Sequence, residues 1–120
     1  MGASAGVTVE DVRRLCLSLP LTTEHLIRDR VKFRVRRLVY VSFSRDETLM
    51  GFGCPREERA ALVASEPDKF QMPATSDLRY NWVVARLAAL DADETTELVV
   101  DAWTMCVPRS VAREYFAQRT

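Results

Sequence analysis

The stretch VKFRVRRLVYVSF, residues 31–43, decides the fold, because apolar side chains recur in it at every second position. This period of two is typical of β-strands that bury one face. Val31, Phe33 and Val35 form one apolar row, and a second row runs from Val39 through Val41 to Phe43. A two-residue turn would place the second row on the wrong face of the sheet. We therefore predict a hairpin in which Val35 pairs with Val39 across a three-residue loop.

Helices and further strands are predicted on both sides of this hairpin. A capping box of Thr8 and Asp11 begins a first helix, which Pro20 ends. A third strand covers about 48–53, and Pro55 opens a second helix that runs to about Ser65. Residues 68–72 predict a short strand and residues 80–87 a strand buried on both faces. A second capping box, Asp91 with Glu94, begins a long third helix, and a final short helix reaches about Gln118.

The order α-βββ-α-ββ-α predicts one α+β domain, residues 8–118, with helices packed on one face of an antiparallel sheet. Residues 1–7 are expected to form a disordered tail. No stretch approaches the ~20 apolar residues of a membrane span, and the N-terminus does not resemble a signal peptide. Three widely spaced cysteines fit reduced thiols, so we expect a cytoplasmic protein.

A row of cations is the first candidate site. The bases that alternate along residues 28–36 are Arg28, Arg30, Lys32, Arg34 and Arg36. With Arg37 and Arg45, residues 28–45 hold seven bases against one acid, a charge of +6 in a chain whose formal net charge is zero. On one side of a strand, such a row could track the phosphates of a nucleic acid. It could also be a solvated face whose bases pair with Glu24, Asp46, Glu47 or the acidic third helix.

The sequence RYNW, residues 79–82, is the second candidate. A base beside aromatics and an amide is typical of stacking on nucleobases, which gives Arg79, Tyr80 and Asn81 a surface role. Trp82 begins a strand and is expected in the core.

Cys54 is the third candidate, because the positive end of the second helix lowers a thiol's pKa. Cys16 and Cys106 lie on apolar helix stripes and are expected in the core, and His25 would have to act alone. The chain has no Gly-rich phosphate loop, no GxSxG elbow and no CxxC pair. We therefore expect no enzyme activity, no catalytic residue, no metal site and no cofactor.

Five blocks, in this order, resemble the MmcQ/YjbR-like family. They are VEDVRRLCLSLPLTTEH, VKFRV, CPREERAALV, DKFQMPATSDLRYNWVVARLAAL and LVVDAWTMCVP. The resemblance implies a curved antiparallel sheet packed by helices, the CyaY-like or secretion-chaperone-like fold, and a double-wing DNA-binding role. Two departures are visible. Arg36-Arg37 stands where the family's hairpin turns on glycine or asparagine, and Tyr80-Asn81-Trp82 stands where it often has a His-Trp pair.

Together these features predict a small non-enzymatic protein that binds DNA weakly through phosphates. The main alternative is a protein-interaction module, such as a homodimer that uses the same basic face. A small-ligand binder or enzyme using Cys54 or Tyr80 is a more distant alternative.

Overall fold

A computed structural model describes residues 6–119 as four helices and one six-stranded sheet. The helices are α1 (Val9–Leu17), α2 (Arg56–Ser65), α3 (Ala92–Thr104) and α4 (Arg109–Ala117). The strands are β1 (Thr22–Ile27), β2 (Arg30–Val35), β3 (Leu38–Phe43), β4 (Leu49–Gly53), β5 (Phe70–Gln71) and β6 (Trp82–Arg86). Every pairing is antiparallel, in the order β1-β2-β3-β4-β6-β5. The predicted α+β class is confirmed, with one strand, β1, that was not predicted.

The helices begin where the capping residues predict. Thr8 and Asp11 form the reciprocal capping box of α1, which buries Val9, Val12 and Cys16. At α3 the prediction was half right, because Asp91 accepts a hydrogen bond from the Glu94 amide but the Glu94 carboxylate does not return one. It binds the Lys69 ammonium at 2.9 Å instead.

The hairpin of β2 and β3 corrects the predicted register. Val35 lies opposite Leu38, not Val39, so the turn contains only Arg36 and Arg37. A β-bulge then shifts the pairing, because Arg34 lies opposite Val39 but Phe33 lies opposite Val41, which leaves Tyr40 as the extra residue. The bulge returns the side chains of β3 from Val41 onward to the faces that a three-residue loop would have given them. Phe33, Val41 and Phe43 are therefore buried as predicted, whereas Val39 points to the other face.

Strand β1 shortens the predicted row of cations. It pairs with β2 through a two-residue turn, Arg28-Asp29, and both turn residues have positive φ (54° and 66°). Such a turn is of the I′ kind that matches the twist of a hairpin. Arg28 thus lies in one turn and Arg36 in the next, at opposite ends of β2. The row of five on one strand was wrong, because β2 itself carries only Arg30, Lys32 and Arg34.

One face of the sheet is covered and the other is open. Helices α1, α2 and α3 contact the sheet, and the covered face buries residues from β2, β3, β4 and β6, among them Phe33, Met50, Phe52 and Val83. The prediction that β6 is buried on both faces was wrong, because Trp82 and Val84 are only half-buried. They lie on the open face with Lys32, Ser42 and Gly51, which the pairing of β2, β3, β4 and β6 places side by side.

The start of the chain lies partly outside the described range. Residues 1–5 of the predicted tail are not described, whereas the Val7 amide donates to the Leu87 carbonyl at 3.0 Å. Within residues 6–119, no helix is long and apolar enough to cross a membrane.

Candidate functional site on the open face of the sheet

The open face forms a concavity of about 920 Å³, here called the groove. One wall, the basic wall, consists of Arg30, Lys32 and Arg37. The opposite wall, the aromatic wall, consists of Tyr80, Asn81 and Trp82. The fold thus brings together two stretches that the sequence predicted separately. The walls rise from β2 and its turn on one side and from β6 on the other, and strands β3 and β4 form the floor between them.

The basic wall has no carboxylate partner in the described part of the chain. The ion pairs among residues 6–119 join Arg13 to Glu10 and Glu24, and Lys69 to Glu66 and Glu94. Glu24, one of the acids that could have neutralised the row, is therefore already paired with Arg13. Asp46, another of them, accepts hydrogen bonds from Ser44 and Thr48, which hold the pKa of its carboxyl below the usual value. Asp77 is the acid that lines the groove.

Arg34 projects from the same strand but is engaged outside the groove. Its Nη2 donates to His25 Nδ1 at 2.9 Å, and its Nε is buried without a partner in the described residues. Because a guanidinium can only donate, His25 Nδ1 must accept. The Nε2–H of His25 then donates to Thr23 Oγ1 at 2.9 Å. His25 is thus a hydrogen-bonded residue of β1 that holds the Arg34 guanidinium.

The remaining predicted bases lie at turns. Arg28 and Arg36 are exposed and do not line the groove. Arg45 Nε donates to the Arg28 carbonyl at 3.2 Å, so it ties the turn after β3 to the β1–β2 turn. Of the seven bases in residues 28–45 that were predicted to contact phosphates, the structure places three in the groove and four outside it.

Two rings and a guanidinium form the exposed part of the aromatic wall. Tyr80 is 51% exposed, and the guanidinium carbon of Arg79 lies 4.9 Å from its ring centroid. The predicted core role of Trp82 was wrong, because its indole is half-buried and lines the groove. A Cβ on Gly51 would lie only 2.5 Å from Trp82 Nε1, so the indole rests directly on the backbone of β4.

Arg59 fixes the aromatic wall from behind, and the sequence did not single it out. This buried side chain donates to the carbonyls of Leu78, Tyr80 and Trp82 at 2.6–3.1 Å. Asn81 adds a second anchor, since its Oδ1 accepts from the Arg56 amide at the start of α2. A base within the helical run REER gives no signal of burial. Gly51, between Met50 and Phe52 in a strand, was a usable signal of close backbone approach.

Cys54 lies in a second concavity, of about 580 Å³, between α2 and α3. Its Sγ is 3.6 Å from the Pro55 carbonyl, and the thiol is 7% exposed. The predicted lowering of its pKa was wrong, because burial, with help from Glu58, raises the pKa of the Cys54 thiol. Burial also raises the pKa of Cys16 to about 12. Within residues 6–119, no three side chains of His, Cys, Asp or Glu cluster as metal ligands would.

Comparisons with known proteins identify the fold and the family of this chain. No curated protein matches the chain. The crystal structure of Deinococcus radiodurans protein DR2400, described as a DUF419 domain, is similar with a TM-score of 0.72 and 18% identity, over 89% of this chain and 86% of that one. At that identity the likeness shows the fold alone. The YjbR family model matches residues 17–105. The match extends from the end of α1 to just beyond α3 and includes both walls of the groove, so the chain belongs to the YjbR family.

Proposed function

We propose that this chain is a non-enzymatic DNA-binding protein that contacts phosphates through the basic wall of the groove. The observation that carries the proposal is that Arg30, Lys32 and Arg37 face one concavity without a carboxylate partner among residues 6–119. Unpaired cations beside a concave surface attract anions more strongly than the same charges on a flat face. Arg28 and Arg36 lie at the two hairpin tips, outside the groove.

The groups that nucleophilic catalysis would use are not assembled in the described residues. Catalysis by Cys54 would need a thiolate and a nearby base. Burial raises the pKa of Cys54, and the one histidine of the chain, His25, contacts Thr23 and Arg34 on β1. This separation supports a binding role over an enzymatic one.

Affinity should be modest because the formal net charge of the chain is zero and Asp77 shares the groove. Nonspecific binding of this kind has a Kd on the order of 10⁻⁴ to 10⁻⁶ M at physiological salt. The discriminating quantity is therefore the dependence of Kd on salt.

The test is a titration of random-sequence duplex DNA at several salt concentrations. Three groove cations, each neutralising one phosphate, give a slope of log K against log salt of roughly −3. Lys32→Ala should weaken binding to all sequences alike and flatten the slope by about one unit, because a phosphate contact does not read sequence. Arg113→Ala on α4 removes an equal charge from an exposed site outside the groove, so it is the matched control. The proposal fails if the two variants bind equally well, or if no binding occurs at low salt.

A second candidate is a homodimer in which the basic wall meets α3 of another copy. The exposed acids Asp93, Glu97 and Asp101 on α3 have no ion-pair partner in the described range, so they could face the basic wall of a second molecule. Reversal of Arg30 and Lys32 to Glu would then halve the mass measured by light scattering. An unchanged mass argues against this arrangement.

A further inference from the structure

We infer that the groove takes single-stranded nucleic acid, with an unpaired base stacked on the aromatic wall and its flanking phosphates on the basic wall. This inference rests on the proposed function and specifies which form of nucleic acid the groove accepts.

The two tryptophans of the chain differ in the way the inference requires. Trp103 is fully buried, and its Nε1 donates to the Pro20 carbonyl at 2.9 Å. Trp82 is half-buried in the groove, and its Nε1 finds no acceptor among residues 6–119. A buried indole N–H normally has a partner. Trp82 thus presents an apolar ring to whatever fills the groove, and its N–H edge lies over Gly51 without a protein acceptor in the described residues.

Gly51 determines how closely the Trp82 indole approaches the sheet. Any larger residue there would push the indole away from the sheet, since its Cβ would lie within 2.5–2.9 Å of three indole atoms. With glycine, the ring is supported by the β4 backbone and its exposed surface faces the groove. Tyr80, 51% exposed at the rim, offers a second ring, which carries the Arg79 guanidinium.

The aromatic wall is held in place before any ligand arrives. Arg59 binds three consecutive alternate carbonyls, those of residues 78, 80 and 82. Asn81 binds the amides of Cys54 and Arg56 through its own carbonyl and its Oδ1. A binding surface that is already ordered loses less entropy on association.

The distance between the walls suits a nucleotide that lies across the strands. Between β2 and β6 there are three interstrand steps, which at ~4.8 Å each place the walls about 14 Å apart at the backbone. Long Arg and Lys side chains narrow this span from the basic side. The Trp82 indole, which rests on Gly51, narrows the span from the other side, and Ser42 on β3 gives the floor between them a small polar side chain.

Stacking decides between single-stranded and duplex partners. In a duplex each base face is covered by its neighbours, so an aromatic platform reaches it only by unstacking. Single strands expose those faces, and their nonspecific binding combines a cationic groove with aromatic side chains. A duplex held by the hairpin tips would leave Trp82 unused.

The test compares a 12-nucleotide oligo(dT), an oligo(U) of equal length and a 12-base-pair duplex by fluorescence anisotropy in one low-salt buffer. We expect at least one single strand to bind several-fold tighter than the duplex. If the duplex binds as tightly as both single strands, the inference is overturned while the proposed function stands. If none of the three binds, both are overturned.

Variants of Trp82 give an independent readout. Trp82→Ala should weaken oligo(dT) binding roughly ten- to a hundredfold, the loss expected for one stacked base. Trp82→Phe keeps a ring and should bind within a few-fold of the native chain. Oligo(dT) should quench the native fluorescence but leave that of Trp82→Phe unchanged, because Trp103 is inaccessible. Quenching that persists in Trp82→Phe overturns the inference.

The variant Tyr80→Ala distinguishes a loss of stacking from a structural effect of Trp82→Ala. Tyr80 is half exposed, and within residues 6–119 its side chain makes a hydrogen bond and a cation–π contact only with Arg79, so the variant should fold normally. It should still lose oligo(dT) affinity by several-fold, while duplex binding stays the same. Equal loss for both nucleic acids would count against stacking.

Discussion

The two faces of the sheet differ in whether their polar and charged groups have partners within the protein. On the covered side, Trp103 donates to Pro20 and the Tyr40 hydroxyl lies 2.7 Å from Thr22 Oγ1, so buried polar atoms have partners. On the open side, Arg34 Nε and Trp82 Nε1 have none in the described range, and the basic wall has no carboxylate.

This difference indicates a division of roles between the faces. The buried Arg34 Nε has no partner in the described range, which costs free energy, so the polar groups of the open face stabilise the fold less than those of the covered face do. The covered face supplies most of the apolar burial and therefore most of the stability. Under the proposed function, the cations of the open face are available to a ligand because no carboxylate pairs with them in the described residues.

The largest expected difference is between the two tryptophans. Trp103→Ala should lower the free energy of unfolding by about 3–5 kcal/mol, because it leaves a cavity in the core. Trp82→Ala should cost clearly less, about 1–2 kcal/mol, because the indole is only partly buried. Urea titrations of both variants measure the two values. Equal losses would mean that the open face is as important for folding as the covered one.

Arg59 joins the two faces, and its removal should have the next largest effect. Arg59→Ala should lower the free energy of unfolding by about 2–3 kcal/mol, because three backbone carbonyls lose a charged donor. It should also weaken oligonucleotide binding, since the aromatic wall is no longer fixed.

Arg56→Ala is the matched control for Arg59. Its guanidinium makes one exposed bond, to the Arg79 carbonyl, so its loss should stay below about 1 kcal/mol. Similar losses for both variants would show that Arg59 does not organise the loop.

Cysteine reactivity tests how closed the covered side is. Burial raises the pKa of all three thiols, so at neutral pH each holds less of the reactive thiolate than a free peptide thiol does. Iodoacetamide should therefore modify Cys54 more slowly than glutathione at pH 7, and faster as the pH rises. Alkylation of Cys54 ahead of glutathione would contradict its burial and support a role for the second concavity.

The sequence was informative wherever one residue pattern has one structural outcome. Thr8 with Asp11 fixed the start of α1, and alternation fixed which side of β2 and β3 is buried. Alternation did not determine whether the extra residue lies in the loop or in the strand, because a three-residue loop and a bulge at Tyr40 both bring Val41 and Phe43 to the buried face. Strand β1 was missed because its turn, Arg28-Asp29, lacks the glycine or asparagine that marks such turns.

The site was predicted in its parts but not in its assembly. Arg30, Lys32, Arg37, Tyr80 and Asn81 do line one groove, but their proximity depends on β6 pairing beside β4, a contact between distant segments. Trp82 was assigned to the core because aromatic residues at strand starts usually are buried. Trp82 is instead on the open face of the sheet, where its indole lies over Gly51, and its position at the start of the strand does not reveal which face that is.

The smallest expected effect is at the β2–β3 turn, where an arginine occupies a backbone conformation that favours glycine. Arg36 has a φ of 58°, which is unfavourable for a residue with a Cβ. Arg36→Gly should therefore raise the free energy of unfolding by up to about 1 kcal/mol. Native Arg37 does not have a positive φ, so Arg37→Gly should lower the free energy of unfolding by about 0.5 kcal/mol and serves as the control.

The same two variants should show the opposite order in binding, because Arg37 lines the groove and Arg36 does not. Arg37→Gly should flatten the salt slope by about one unit, and Arg36→Gly should leave the slope nearly unchanged. Thermal unfolding and salt titration on both variants measure these values. If Arg36→Gly loses as much slope as Arg37→Gly, the hairpin tip contacts phosphate as well, and the binding surface extends beyond the groove.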